Sequence, residues 1–490
     1  MTAKFPLAVR NAFKALPDET SHIATEPPNS AQIFTPADHQ GALDPHRGVI
    51  IGDRGTGKSF WSSVLIDDKT RKLVALSYPA LGLDRVVGRL GFSSNPMALM
   101  HPSRTVIDGV MKAGHVAEDL WRAVMLRLAP VPLESAPSGY DWKEWTAWVA
   151  SDDARRNDEF HALDEALVQQ GKIYVLIFDA LDLIANDWAG IRKQMEGLIR
   201  LALAVRALKA VRVKLFVRPD MADDSRLWAV GDASKLRHRE ILLTWRRRDL
   251  YGLLWTLLAN AKDESGAGSF RDFCRRPFWA GIGKVQDVWR PVNNLVEDED
   301  LQQRVFRALA GEYMGADRRR GDTYKWVPNH LSDAAGFAAP RSFLLAMKVA
   351  AEETKSTETV LDVAGIQEGT RKASKERVEE LSEDYRWMRI VLDDMKGLVV
   401  PLSEDDLVAR WQERGTLGKM QRQAEKENDS RYIPPGEVLE TAEPAAYPLL
   451  IEQLVRLKIF FRLTDGRINM PDLFRLYANI RRKGGMKPRA

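Results

Sequence analysis

The chain has 490 residues, 45% hydrophobic and 29% charged, which is the composition of an ordinary globular protein with room for two or three domains and excludes disordered and fibrous classes. Its 72 basic and 68 acidic residues leave a net charge of +4, so there is no chain-wide basic field of the kind that marks a nucleic-acid binder, and any electrostatic role must be local. The lone cysteine, Cys274, excludes an intrachain disulfide framework and a multi-cysteine zinc site, and the eight histidines show no paired spacing from which protein ligands alone would hold a metal.

In chain order, residues 1–46 are polar and proline-bearing and read as an irregular N-terminal arm. No apolar run reaches the ~18 residues of a membrane span, and no signal-peptide core opens the chain, so a soluble, cytoplasmic protein without membrane contact is expected. The next segment changes character. "GVII", "KIYVLIFD" and "VRVKLFV" are short, continuously apolar runs with strand composition, and helical periodicities at 117–129 and 188–208 lie between them. Buried strands alternating with amphipathic helices predict an α/β core with a parallel sheet over residues 47–238.

Residues 239–366 carry helical spacing throughout and are expected to form an all-helical lid. In 367–490, "SEDDLVARWQE", "YPLLIEQL" and a hairpin turning at Asp465-Gly466 outline a winged-helix domain, with a polar insertion near 416–440.

The chemistry concentrates where the first strand ends. Gly52, Asp53, Arg54, Gly55, Thr56, Gly57, Lys58 and Ser59 match GxxxxGK[ST], directly after an apolar strand and directly before the helical stretch opened by Phe60. Such a loop turns backbone N–H groups inward and presents a helix N-terminus, a cradle for nucleotide phosphates. Lys58 is placed to reach the β and γ phosphates, and the Ser59 hydroxyl to ligate Mg²⁺. Asp179 ends the second apolar strand and is the expected carboxylate for Mg²⁺. Asp182 is read either as the base for water or as a helix-capping acid. Arg218 ends the third strand, at the edge where open α/β sheets bind ligands; it is read either as a sensor of the γ-phosphate or as the partner of Asp220 or a helix carboxylate. Pro340 and Arg341 open a helix after a proline turn. They fit a contact to adenine and phosphate as well as they fit a plain helix start with a solvated arginine. The basic "WRRRDL" at 245–250 reads as a solvated helix face more than as an arginine finger.

Together "GDRGTGKS", "VLIFDALD", "LFVRPD" and "AAPRSF" resemble the P-loop ATPase superfamily that contains AAA+ proteins and the STAND class of signal-transduction ATPases. The resemblance implies an α/β P-loop NTPase sheet followed by an all-helical lid and a C-terminal winged helix, with ATP and Mg²⁺ as cofactors. It further implies a nucleotide-driven switch acting on a separately encoded protein partner or effector, possible homo-oligomers, and the defence setting of some bacterial STAND-like ATPases. The alternative it carries is a DNA-binding ATPase that uses the winged helix and the basic C-terminal tail.

Overall fold

The computed structural model describes residues 4–17, 25–95, 100–133, 136–276, 278–291 and 293–482. The chain divides into two compact units, one formed by residues 21–244 and the other by 1–20 together with 245–490.

The first unit is built on five parallel strands: β1 (Val49–Ile51), β2 (Val86–Phe92), β3 (Ile173–Phe178), β4 (Val211–Val217) and β5 (Ile241–Leu242). Their order across the sheet is β2-β3-β4-β1-β5. This is the expected α/β P-loop NTPase sheet, and the strand after which the glycine-rich loop follows is separated from the Asp179 strand by one intervening strand. Side chains alternate between the two faces with the period of two that a strand imposes. Val49, Ile51, Leu176, Phe178, Leu215 and Val217 enter one core cluster, whereas Ile50, Val175, Ile177 and Phe216 enter the other. Both faces are therefore dry, which is why these strands read as unbroken apolar runs. β1 has only three residues, all buried; at about 1.5–3 kcal/mol for each fully buried aliphatic side chain, that burial suffices to hold so short a strand in register.

Two of the five strands escape the sequence pattern. β2 reads "VVGRLGF", with two glycines and an arginine that break its apolar run. Its Gly88 is a packing residue: a Cβ there would lie 2.2 Å from the Leu65 carbonyl oxygen at the end of the Lys58–Ile66 helix. β5 is two residues long, below what periodicity can register.

The N-terminal stretch differs from the irregular arm expected. Lys4–Lys14 is a helix of the second unit with Val9, Ala12 and Phe13 buried. Its buried Arg10 donates to the carbonyl oxygens of Val360 (Nε, 3.0 Å) and Thr359 (Nη2, 2.6 Å). Polar flanks hid an amphipathic face of a single short helix. Residues 37–47 belong to the first unit, tied down by Lys214 on β4, whose fully buried Nζ donates to the carbonyls of Ala42 (3.0 Å), Asp44 (2.9 Å) and Arg47 (2.7 Å). Burial pulls this lysine down to about 7, yet three acceptors call for the three protons an ammonium carries.

The second unit is mainly helical, but the stretch expected to be all-helical holds an antiparallel hairpin, Ile282–Val285 with Val288–Pro291. The 22-residue helix Val363–Asp384 runs through the boundary expected at 366/367. The polar segment expected as an insertion near 416–440 contains the helix Thr416–Glu427, which buries Leu417, Met420 and Ala424 on one face. Further on, the helix Ala446–Arg456 precedes a two-stranded antiparallel pairing of Phe461–Arg462 with Ile468–Asn469, the helix-plus-hairpin unit read from the sequence. Among the described residues no helix is long and apolar enough to cross a membrane.

Candidate phosphate-binding site

The site is set by the carboxyl ends of three adjacent strands. β4 pairs on one side with β1, Val217 opposite Ile51, and on the other with β3, Leu215 opposite Phe178. Gly52, Asp179 and Arg218, each the first residue beyond its strand, thus emerge side by side at one sheet edge. In parallel α/β sheets this is the edge at which ligands bind.

The loop itself is Gly52 to Gly57. Gly52 N–H donates to Val217 O (3.1 Å), and Asp53 O accepts from Thr56 N (3.3 Å) and Thr56 Oγ1 (2.7 Å), closing a tight turn. Arg54 and Gly55 form its partly exposed tip. Gly55 (φ 78°) and Gly57 (φ 103°) occupy the left-handed region that side chains avoid. Gly57 caps the Lys58–Ile66 helix without a side chain, so its first N–H groups are not taken by a capping oxygen and point their positive end at the loop. Phe60 and Trp61 meet edge-on, their centroids 5.2 Å apart. Beneath them Trp61 Nε1 donates to His39 Nδ1 (3.1 Å), which leaves His39 Nε2 to donate to Thr244 O (2.8 Å). Burial holds His39 neutral, lowering it to about 4.

Lys58 Nζ donates to the carbonyls of Gly52 (2.7 Å) and Asp53 (3.0 Å). Burial lowers its pKa; Asp179, Asp182 and Asp53 oppose that, and the Arg218 cation adds to it. Asp179 is 1% exposed, and neither carboxylate oxygen completes a hydrogen bond. Burial raises its pKa, although the neighbouring Ser59 hydroxyl, the Lys58 ammonium and the Ala180 N–H pull the other way. Ala180 itself takes φ 54°, ψ 40°, a left-handed conformation that costs a non-glycine residue about 1–2 kcal/mol. That turn leads into the short helix Leu181–Leu183 and puts Asp182 beside Arg218.

Arg218 is gripped from two sides. Its Nε and Nη2 donate to Asp220 Oδ1 and Oδ2, both at 3.2 Å, and its Nη1 donates to Asp182 Oδ2 at 3.1 Å. The pairing with Asp220, weighed from sequence beside the sensor reading, is thus present. The two carboxylates differ in exposure, 5% for Asp220 and 25% for Asp182. Asp220 takes two donors of the fork and is the more buried, so the single, better-solvated Asp182 contact is the weaker of the two.

Pro340 and Arg341 belong to the other unit. Pro340 is the first residue of the Pro340–Glu353 helix and is buried. Arg341 Nη1 pairs with Glu380 Oε1 at 2.5 Å, so it is not the solvated arginine of the plain reading. In "WRRRDL", Arg247 is likewise paired, with Glu299 (3.0 Å). Sequence reasoning missed the end of β2, where the buried Ser93 Oγ lies 3.1 Å from His101 Nε2 and Phe92 O accepts from Asp179 N (3.0 Å). Glycines inside a run of strand-forming residues were the available signal.

The sequence matches no protein family and no curated protein. Among solved structures it is similar to a Walker-type ATPase of Pyrococcus abyssi, with 12% identity, a TM-score of 0.42, and 93% of this chain and 98% of that chain covered. It is also similar to the Aeropyrum pernix ORC2 protein (14%, TM-score 0.39, 95% and 94% covered) and to the Aeropyrum pernix ORC1 protein in complex with DNA (13%, TM-score 0.36, 96% and 96% covered). At TM-scores below 0.5 these likenesses bear on neither function nor partners. The α/β P-loop architecture rests on the strand order and the loop geometry of this chain.

Proposed function

We propose that the protein binds and hydrolyses Mg²⁺-ATP, and that the nucleotide state switches its interaction with a separately encoded partner or with further copies of itself. The observation that carries the reading is Asp179: a buried carboxylate with both oxygens unsatisfied, beside Ser59 and Lys58 and next to an uncapped helix N-terminus. A protein tolerates so costly a group where a cation or catalytic role uses it. Among the described residues no group of three or more His, Cys, Asp or Glu side chains could hold a metal by itself. That fits Mg²⁺, which keeps waters and phosphate oxygens and takes one or two protein ligands; here Ser59 and Asp179 would hold it. When bound, it would neutralise charge building up on the phosphate oxygens.

The chain's own groups supply the rest. Loop N–H groups and Lys58 bind the phosphates, with Lys58 exchanging two carbonyl acceptors for phosphate oxygens. Arg218 reads the terminal phosphate, and Asp182, released from it, accepts the proton of the attacking water. A STAND-type switch in bacterial antiviral defence is the narrower form of this proposal, supported by the sequence resemblance alone.

The switch is favoured over the DNA-binding ATPase because three cations of the proposed winged helix already face carboxylates. Arg462 pairs with Glu404 (2.8 Å) and Glu452 (2.7 Å), Arg467 with Asp465 (2.7 Å), and Lys458 lies 3.7 Å from Asp333. Most of the basic tail, residues 483–490, lies outside the described residues. Two variants test the nucleotide reading. Lys58→Ala is expected to weaken ATP binding by about 100-fold or more, the scale of losing a charged partner in a desolvated site. Asp179→Ala is expected to keep ATP binding and lose Mg²⁺-dependent turnover. Wild-type affinity in the first variant, or wild-type turnover in the second, overturns the proposal.

A further inference from the structure

Arg218 stands between the glycine-rich loop and Asp179, because β4 lies between β1 and β3. It adds a second cation near Lys58, whose own proton affinity it depresses. An unanchored guanidinium in that position would sample many rotamers and many acceptors. Here it is fixed. Asp220, in the first turn of the Pro219–Asp223 helix, takes Nε and Nη2 with its two oxygens, the side-on bidentate geometry in which a planar fork loses its freedom. What this grip turns outward is the Nη1 edge, and that edge meets Asp182.

We propose that Asp220 is the positioning residue of the site: it clamps Arg218 so that Nη1 exchanges between Asp182 and the terminal phosphate of ATP, which couples recognition of that phosphate to release of Asp182. The inference rests on the nucleotide-binding reading above. The asymmetry of burial decides which pair breaks. Asp220 is 5% exposed and Asp182 25%, so an arriving anion displaces the better-solvated carboxylate and leaves the buried fork intact. ADP lacks the terminal phosphate and leaves the Arg218–Asp182 contact in place. Asp182 is thereby held idle by Arg218 until the third phosphate is present. Asp220 touches neither nucleotide nor water in this scheme and acts through Arg218 alone.

The test uses the full chain and its Asp220→Asn and Asp220→Glu variants, with affinities for ATP and ADP titrated separately and melting temperatures recorded as a folding control. Asp220→Asn is expected to leave ADP affinity within about twofold, to lower the preference for ATP over ADP by about tenfold, and to lower kcat more than it raises KM. Asp220→Glu, which keeps the charge, is expected to recover part of the preference. An Asp220→Asn protein with unchanged preference and kcat overturns this inference alone, as does equal loss of ATP and ADP binding, which marks a merely structural aspartate. A wild-type protein that binds neither nucleotide overturns the nucleotide reading and this inference with it.

Discussion

Asp179 carries two costs at once: its burial raises the pKa, and both oxygens go without hydrogen bonds. An unsatisfied buried group costs about 1–3 kcal/mol. Its neighbour Lys58, whose charge it supports, is also held by two main-chain carbonyls. Asp179→Asn is therefore expected to raise the melting temperature of the nucleotide-free protein by about 2–5 °C while keeping the stabilisation by ATP and losing the further increment that Mg²⁺ adds to it in the wild type. Differential scanning calorimetry without nucleotide, with ATP and with Mg²⁺-ATP checks both halves; a fall in the nucleotide-free melting temperature would show that the carboxylate is satisfied after all. Lys58, Ser59 and Asp179 were legible in the sequence because the loop motif and the strand-terminal aspartate are local patterns. The Asp182 contact of Arg218 and the Glu380 contact of Arg341 were not, since those carboxylates approach only once the chain is folded.

Among the elements, the Lys58–Ile66 helix is held from two sides. Against it β2 approaches so closely that Gly88 has no room for a side chain. Gly88→Ala is expected to destabilise the first unit by about 1–3 kcal/mol, as overpacking does, and urea unfolding measures it; a neutral outcome would mean that strand and helix separate at little cost. The other hold is the Trp61–His39–Thr244 chain. His39 is lowered to about 4 against about 6.5 in an unfolded chain. The folded state thus binds fewer protons between those values, and stability rises with pH across that window. The contribution is complete above about pH 6.5 and is lost as pH falls through about 4, a change of about 3 kcal/mol. Unfolding free energies of wild type and His39→Asn, compared from pH 7 to 4, should converge by that amount as the pH falls; parallel curves would contradict the neutral, buried imidazole.

For the whole molecule, the near balance of charge recurs locally: Arg462 and Arg467 of the helix-plus-hairpin region meet carboxylates of their own unit. Duplex DNA is therefore expected to show no detectable binding at ~50 mM salt, where phosphate contacts would be strongest. A steep salt-dependent affinity would restore the DNA-binding reading. The chain also begins in one unit and continues through the other: the Lys4–Lys14 helix belongs with residues 245–490. Arg10, spanning some 350 positions to Val360, is the kind of tie that no local window can register.

The sequence by itself determined the glycine-rich loop, the apolar strands β1, β3 and β4, and the aspartate that ends β3. All of these depend on short-range regularities: backbone freedom at glycine, and burial on both faces of a strand. Only the tertiary structure decided the rest. It inserted β2 and β5 into the sheet, where packing rather than propensity selects the residues. It turned the polar N-terminal stretch into a helix with a buried face. It also set Arg218 between a more buried and a better-solvated carboxylate, because which charges share a site is fixed by strand order, and strand order is a property of the fold.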